Sequence, residues 1–324
     1  MLSDASGRKI EYLRLSLTSE CPLRCIYCRP GPAGERPQDD HPLRPVEIES
    51  LVRYLAERHG LHKVRLTGGD PTSRPDLTEI IERIAAIPGI HDLSMTTHGL
   101  TLARKAREYK KAGLHRVNVS LDTLDVKQFQ RITGSDGLER VLAGIHAAQE
   151  FALHPVRINT VVVRGENDDQ LVALLQFAAR HILEIRFIEL MPMGPLAASW
   201  HDRAVSESQM RERLAPIVQS WHALPRKSDS AQRYRVILDD GTMVCVGFIS
   251  AMTGCFCEDC NRIRVTSDGS IYPCLMDRPR GNLMSALRPR FEPDQLEAAL
   301  ATALSGKQLR HPAAGVAVMT QIGG

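Results

Sequence analysis

The chain has 324 residues, 43% hydrophobic and 24% charged, the make-up of an ordinary globular protein rather than a disordered, collagenous or membrane-embedded one. Lysine plus arginine against aspartate plus glutamate is 41 to 38, a balance too mild to argue for nucleic acid or an anionic membrane as partner. No apolar run reaches membrane-spanning length, and the opening MLSDASGRKI is polar where an export signal needs an apolar core, so a cytoplasmic location is expected.

In chain order, the short runs YLRLSL (12–17), KVRLTG (63–68), DLSMTT (92–97), RVNVSL (116–121), VRINTVVV (156–163) and EIRFIEL (184–190), most of them β-branched, read as strands. Between them VEIESLVRYLAERHG, LTEIIERIAAIPG, LARKAREYKKAG, LERVLAGIHAAQEFA and DQLVALLQFAARH carry apolar residues at helical spacing, the first three running out at Gly60, Gly89 and Gly113. Six strand-helix units in succession imply parallel strands joined by right-handed crossovers. The fold class is therefore α/β, as a barrel-like sheet or an open doubly wound one, and periodicity leaves both open.

After Met191 the Pro/Gly-rich MPMGPLAASW, one helix (SESQMRERLAPIV) and the polar PRKSDSAQ mark a boundary, which divides the chain into 1–215 and 216–324. In the second part YRVIL and MVCVGFI flank Asp240-Gly241, and IRVTS and SIYPCL flank Asp268-Gly269, so both pairs read as hairpins. A helix, DQLEAALATAL, and a tail ending in Gly323-Gly324 follow.

Eight cysteines cluster toward the two ends of the chain, which points to metal or cluster ligation rather than scattered core thiols. Cys21, Cys25 and Cys28 stand in the loop after the first strand, the end where α/β enzymes place their chemistry. Three thiolates on a four-iron cluster leave one iron open to an outside ligand. The competing reading is a zinc knot using His41. Cys257, Cys260 and Cys274 form a second trio, where Cys255 or Cys245 could instead complete a four-cysteine zinc ribbon. Spacing alone leaves both readings of that trio open.

Single cations interrupt four apolar strands: Arg14, Lys63 with Arg65, Arg157 and Arg186. Alternation puts Lys63 and Arg65 on one face. Charges pointing into a barrel need counter-ions, so they pair either with internal carboxylates such as Glu11, Asp122 or Glu189, or with an anionic ligand such as a triphosphate.

The loop CPLRCIYC resembles the CxxxCxxC loop of the radical S-adenosylmethionine superfamily, and Gly68-Gly69-Asp70-Pro71 resembles its GGEP motif. YLRLSLT, VRLTGGDP, TTHG, RVNVSLD, GENDDQ, EIRFIELM, CxxCNRIRVTSDGSIYPCL and the terminal Gly-Gly follow in order the pattern of the GTP 3′,8-cyclase family, over essentially the whole chain. That resemblance implies an incomplete TIM-like barrel of six βα units plus a C-terminal module with a second [4Fe-4S] cluster. It also implies a lyase acting in molybdenum cofactor (molybdopterin) biosynthesis. Two [4Fe-4S] clusters and S-adenosyl-L-methionine are the implied cofactors, and GTP is the implied substrate.

By the same resemblance Cys21, Cys25 and Cys28 hold the catalytic cluster, and Cys257, Cys260 and Cys274 the second. Tyr27, Gly69, Ser120 and Met191 match positions that hold S-adenosylmethionine. Arg14, Lys63, Arg65, Thr96, Arg157, Arg186, Arg262 and Arg264 match the GTP set, and the Gly323-Gly324 tail reaches the active site. A reducing electron donor such as flavodoxin or ferredoxin and the next enzyme of the pathway, cyclic pyranopterin monophosphate synthase, are the implied partners, with no nucleic acid and no membrane, the chain being a monomer or a homodimer. The sequence departs from the family pattern at Pro22, Arg29, Asp70 (for Glu), His98 (for Asn) and Arg157 (for Lys). These departures leave a divergent paralogue with another substrate as the alternative, and a two-zinc structural protein as the reading from another class.

Overall fold

The computed structural model describes residues 1–28, 41–226, 229–315 and 319–322. The six strands stand where the sequence places them: β1 (Tyr12–Ser16), β2 (Lys63–Thr67), β3 (Asp92–Thr97), β4 (Arg116–Ser120), β5 (Arg157–Val162) and β6 (Glu184–Glu189). Helices α1 (Pro45–His59), α2 (Leu77–Ala85), α3 (Leu102–Lys111), α4 (Val126–Thr133), α5 (Leu138–Glu150) and α6 (Leu171–Arg180) alternate with them. Helix α4 is absent from the sequence reading because its eight residues bury little more than Phe129 and Ile132. Its end signals were nonetheless present, since Asp125 caps the amide of Gln128 and Gly134 closes the helix at φ +71°.

Both hairpins form: β8 (Gln232–Leu238) with β9 (Met243–Ile249), and β10 (Arg262–Val265) with β11 (Ile271–Tyr272). A further strand, β7 (Val218–Ala223), lies antiparallel to β8 where the sequence reading ran a helix to Val218. The helix Glu207–Leu214 stops before Pro216, and Trp221 on β7 then packs edge-on against Tyr234 with ring centroids 5.6 Å apart.

The strands make one sheet in the order β11-β10-β1-β2-β3-β4-β5-β6-β9-β8-β7. Strand β10 is parallel to β1, and β9 is parallel to β6. The segment after residue 215 therefore builds no sheet of its own. Its two hairpins extend the six-stranded barrel sheet at opposite edges, giving eight parallel strands in a row, and the sheet ends at β11 and β7 without closing.

Alternation then sorts the side chains. Leu13, Leu15, Val64, Leu66, Val117, Val119, Ile185 and Phe187 are buried with Leu51, Leu55, Ile80, Ile84, Val141 and Leu174 of the helices, in one apolar layer outside the sheet. Each such side chain contributes roughly 1.5–3 kcal/mol of burial. The other face of the same strands is polar. Among the described residues no helix is long and apolar enough to cross a membrane.

Candidate active site

The polar face is ordered in rows. Arg262, Tyr12 and Lys63 stand opposite one another on β10, β1 and β2, and Arg264, Arg14 and Arg65 form the next row, continued by Ser94 on β3. Farther round, Thr96, Asn118, Arg157, Glu184 and Cys245 are in register, as are Ser120, Asn159, Arg186 and Gly247. On this face of the parallel strands eight cations, Arg116 included, meet only two carboxylates, Asp92 and Glu184; Asp229 adds a third from the loop before β8.

Those carboxylates take four of the eight cations, Arg157, Arg186, Arg116 and Lys63. Glu184 accepts Arg157 at 2.9 Å and Arg186 at 2.7 Å, and Asp229 meets Arg186 at 3.0 Å. Asp92 meets Arg116 at 2.7 Å and Lys63 at 3.4 Å. The internal carboxylates named from sequence do other work. Asp122 accepts the Tyr27 hydroxyl and the Val161 amide, while Glu189 holds the amides of Met252, Thr253 and Glu207. Glu189 thereby anchors the segment that crosses from β9 to β10. Glu11 accepts the backbone amides of His62 and Lys63 through its own carbonyl, at 3.2 Å.

Around β1 the field is one-sidedly positive. Burial first, then the neighbouring guanidiniums of Arg264 and Arg262, hold Arg14 down at about 9. Burial and then Arg262 bring Arg264 to about 10, and burial followed by Arg14, Arg116 and Arg186 brings Arg65 to about 9. Guanidinium groups stay protonated at neutral pH, so the depression expresses how strongly this place favours an anion.

The first cysteine trio lies beyond the carboxyl end of β1. Its loop is tied down by Arg24 and Ile26 amides to the carbonyls of Thr133 and Ile132, at 2.8 and 3.0 Å, so α4 and the turn after it support the cysteines. Burial, then Asp122, Cys28 and Cys21, push the Cys25 thiol well above its ordinary range, as expected for three thiol groups facing one spot. Gly68 and Gly69 press on the same loop. The Gly69 amide donates to Thr18 at 2.6 Å and the Asp70 amide to Glu20 at 2.7 Å. Gly68 has φ +150° and leaves a Cβ only 2.5 Å from the Thr18 carbonyl, so this contact requires glycine.

Asp70 itself is a knot. Its carboxylate accepts the Thr72 amide and hydroxyl, the Thr97 hydroxyl and the His98 amide at 2.6–2.9 Å. His98 lies 3.5 Å from it through Nε2 and accepts the Leu100 amide through Nδ1. The two departures from the family pattern thus sit against each other and brace the turns after β2 and β3. Tyr27 is bound to Asp122 at 2.5 Å, Ser120 ends β4, and Thr96 accepts from Asn118 at 3.3 Å.

The second trio stands at the other end of the β1–β10 pair. Cys257 and Cys260 precede the amino end of β10, and Cys274 follows β11. Together with Met191, Phe256, Arg262, Arg264 and His311 these cysteines line one pocket. Burial would raise Cys260, but Arg262 and Lys307 outweigh it and bring the thiol to about 6, leaving a thiolate at neutral pH. Lys307 Nζ lies 3.5 Å from Cys260 Sγ and donates to the Arg262 carbonyl at 3.0 Å. Cys255 and His311 approach Cys257 with their ligand atoms within 4.8 Å of one another, and Cys245 points elsewhere, opposite Glu184. Ile322 is buried with Met193, Tyr272 and Met276 beside this pocket, whereas Gly323, Gly324 and Arg29 lie outside the described residues.

Both cysteine sets fit iron-sulfur ligation by donor type: three thiols from one loop with a glycine-only approach beside them, and three more around a pocket lined by guanidiniums. Tyr12, Asp92, Arg116, Glu184, Asp229 and Lys307 are absent from the sequence reading. Strand alternation could have found Glu184, two residues from Arg186 and hence on its face, but Asp229 and Lys307 come from segments without periodic signal.

Comparison with known proteins agrees with this geometry. Residues 15–178 match the model of the Radical SAM superfamily and residues 183–313 that of Molybdenum Cofactor Synthesis C. The GTP 3′,8-cyclase of Pelotomaculum thermopropionicum is 39% identical over 96% of this chain and 95% of its own, and that of Syntrophomonas wolfei 38% identical over 95% and 94%. The crystal structure of Streptococcus suis SuiB bound to S-adenosylmethionine superposes with a TM-score of 0.57 at 14% identity over 92% of this chain, which spans 65% of that one, a likeness of fold. By its two matched regions and its full-length relatives, the chain belongs to the GTP 3′,8-cyclase family of the radical SAM enzymes.

Proposed function

We propose that this chain converts GTP to (8S)-3′,8-cyclo-7,8-dihydroguanosine 5′-triphosphate, the first step of molybdenum cofactor biosynthesis. The observation that carries the reading is the pair of cationic rows, Arg262–Tyr12–Lys63 and Arg264–Arg14–Arg65, set between two cysteine trios at opposite ends of the same strands. A nucleoside triphosphate brings the negative charge that rows so rich in cations favour, with arginines able to grip phosphate oxygens two at a time.

When bound, the cluster and S-adenosylmethionine supply the one-electron chemistry that removes the 3′ hydrogen of the ribose. The chain's own residues hold and orient. Cys21, Cys25 and Cys28 would ligate the catalytic cluster, with Tyr27, Gly69, Ser120 and Met191 around S-adenosylmethionine, and Cys257, Cys260 and Cys274 a second [4Fe-4S] cluster beside the guanine. Arg14, Lys63, Arg65, Thr96, Arg262 and Arg264 are assigned to GTP, so that C3′ is brought to C8 of its own base. Arg157 and Arg186, already shared by Glu184, act through that network. By the family resemblance the Gly323-Gly324 tail would serve the active site; Ile322 ahead of it is buried with Met193, Tyr272 and Met276.

We read 1–215 as the barrel unit and 216–324 as the unit that extends its sheet and carries the second trio. A cytoplasmic setting, a flavodoxin or ferredoxin as electron donor and cyclic pyranopterin monophosphate synthase as next enzyme belong to the same reading.

Anaerobic reconstitution followed by dithionite-driven assay with and without GTP tests it. About eight irons per chain and a cyclised GTP product are expected. About four irons, with S-adenosylmethionine cleaved and GTP untouched, would replace this reading by a divergent paralogue acting on another substrate.

A further inference from the structure

Tyr12 sits in the middle of the first cationic row, opposite Arg262 on one side and Lys63 on the other. Its side chain is 95% buried, at 5% exposure, and its hydroxyl has no hydrogen-bond partner among the described residues. The ring is held by cations: Lys63 Nζ stands 4.8 Å and the Arg65 guanidinium carbon 5.6 Å from its centroid. Leaving a buried hydroxyl without a partner is costly, so a fixed, unmatched phenol is expected to have a partner supplied from outside the protein.

The surroundings decide which partner. The neighbouring side chains of Lys63, Arg65, Arg14 and Arg262 are donors, and among the described residues none accepts the phenolic proton. Burial opposes ionisation of Tyr12, yet the combined charge of Arg65, Arg14, Lys63 and Arg262 outweighs it and lowers the pKa below its usual value. An incoming group that satisfies both the proton and the cations must be an acceptor and an anion.

We propose that Tyr12 is a substrate-positioning residue whose hydroxyl donates to a phosphate oxygen of the substrate, fixing the triphosphate end in the cationic rows. The assignment rests on the nucleoside triphosphate reading above and adds an uncharged donor to the first cationic row. It also gives the phenol a task that a phenylalanine of equal shape cannot perform.

The test is Tyr12→Phe in the full, reconstituted chain, with GTP, inorganic triphosphate and guanosine as separate probes in anaerobic equilibrium dialysis. The dissociation constants of GTP and inorganic triphosphate should rise about tenfold, that of guanosine staying as in the wild type. Iron content and S-adenosylmethionine affinity report whether the variant is folded. Independently, inorganic triphosphate should raise the ionisation pH of one tyrosine in the wild-type ultraviolet titration, and none in the variant. Wild-type binding of GTP with no loss in the variant, or a loss confined to guanosine, would overturn the role of Tyr12 alone. A wild type that binds neither GTP nor inorganic triphosphate would overturn the triphosphate reading and Tyr12 with it.

Discussion

A Cβ placed on Gly69 would stand 2.2 Å from the carbonyl oxygen of Glu20, one residue ahead of Cys21. Backbone cannot yield there as a side chain could, because the Gly69 and Asp70 amides bind the same loop. Gly69→Ala is therefore expected to displace the first cysteine loop. Iron per chain should fall toward the content of the second site, and S-adenosylmethionine affinity should drop by about tenfold or more. Normal iron and normal affinity in the alanine variant would show that the loop tolerates the shift.

Glu184 is 8% exposed and the only carboxylate shared by Arg157 and Arg186 among the described residues. Glu184→Gln leaves two buried guanidiniums competing for an uncharged amide. A loss of about 3–5 kcal/mol in unfolding free energy is expected, the range for breaking a buried ion pair. Denaturant titration measures it, and an unchanged midpoint would mean that solvent already screens the pair.

Arg186 and Arg264 are both arginines on the polar face, yet they should fail differently. Arg186→Met takes from Asp229 its ion-pair partner and leaves Glu184 with Arg157 alone, so the expected loss is chiefly one of stability. Arg264→Met removes one of a crowd of positive charges, so its expected effect is chiefly a weakening of GTP binding by about tenfold or more. Equilibrium dialysis beside denaturant titration separates the two, and the reverse pattern would exchange their roles.

Glu47, on α1, accepts both Arg288 at 2.7 and 2.9 Å and the Arg44 amide at 2.7 Å, fastening the start of the barrel to the C-terminal segment. Burial alone would raise its pKa, but the hydrogen bonds from Arg288 and Arg44 outweigh it and bring the carboxyl to about 2. A depressed carboxylate stabilises the fold above its ordinary value near 4.5 and loses that contribution as pH falls toward 2. Glu47→Gln should thus be less stable by about 1–3 kcal/mol at neutral pH, with the gap to the wild type closing between pH 4.5 and 2. A gap independent of pH would assign the loss to packing.

Strands β1 to β6 were legible because β-branched runs and glycine-closed helices are local signals, and both cysteine trios because their spacing is written along the chain. His98 shows the limit. As a letter in TTHG it looks like a change at the substrate, whereas in the fold its ring braces Asp70 and the Leu100 amide. The place of the two hairpins in the sheet was not legible for a similar reason, since hairpin signals specify a pair of strands but not the sheet edge that receives them.

The sequence by itself determined the six βα units, the shared face of Lys63 and Arg65, and the spacing of the two sets of three cysteines, all properties of neighbours within one strand or loop. Only the tertiary structure decided that Glu184 and Asp229 neutralise Arg186, that Arg262 and Arg264 come level with Tyr12 and Arg14, and that Tyr12 keeps an unanswered hydroxyl among cations. The physical reason is that charge pairing and burial depend on distance through space, set by strand register between segments up to about 250 residues apart, to which no local pattern is sensitive.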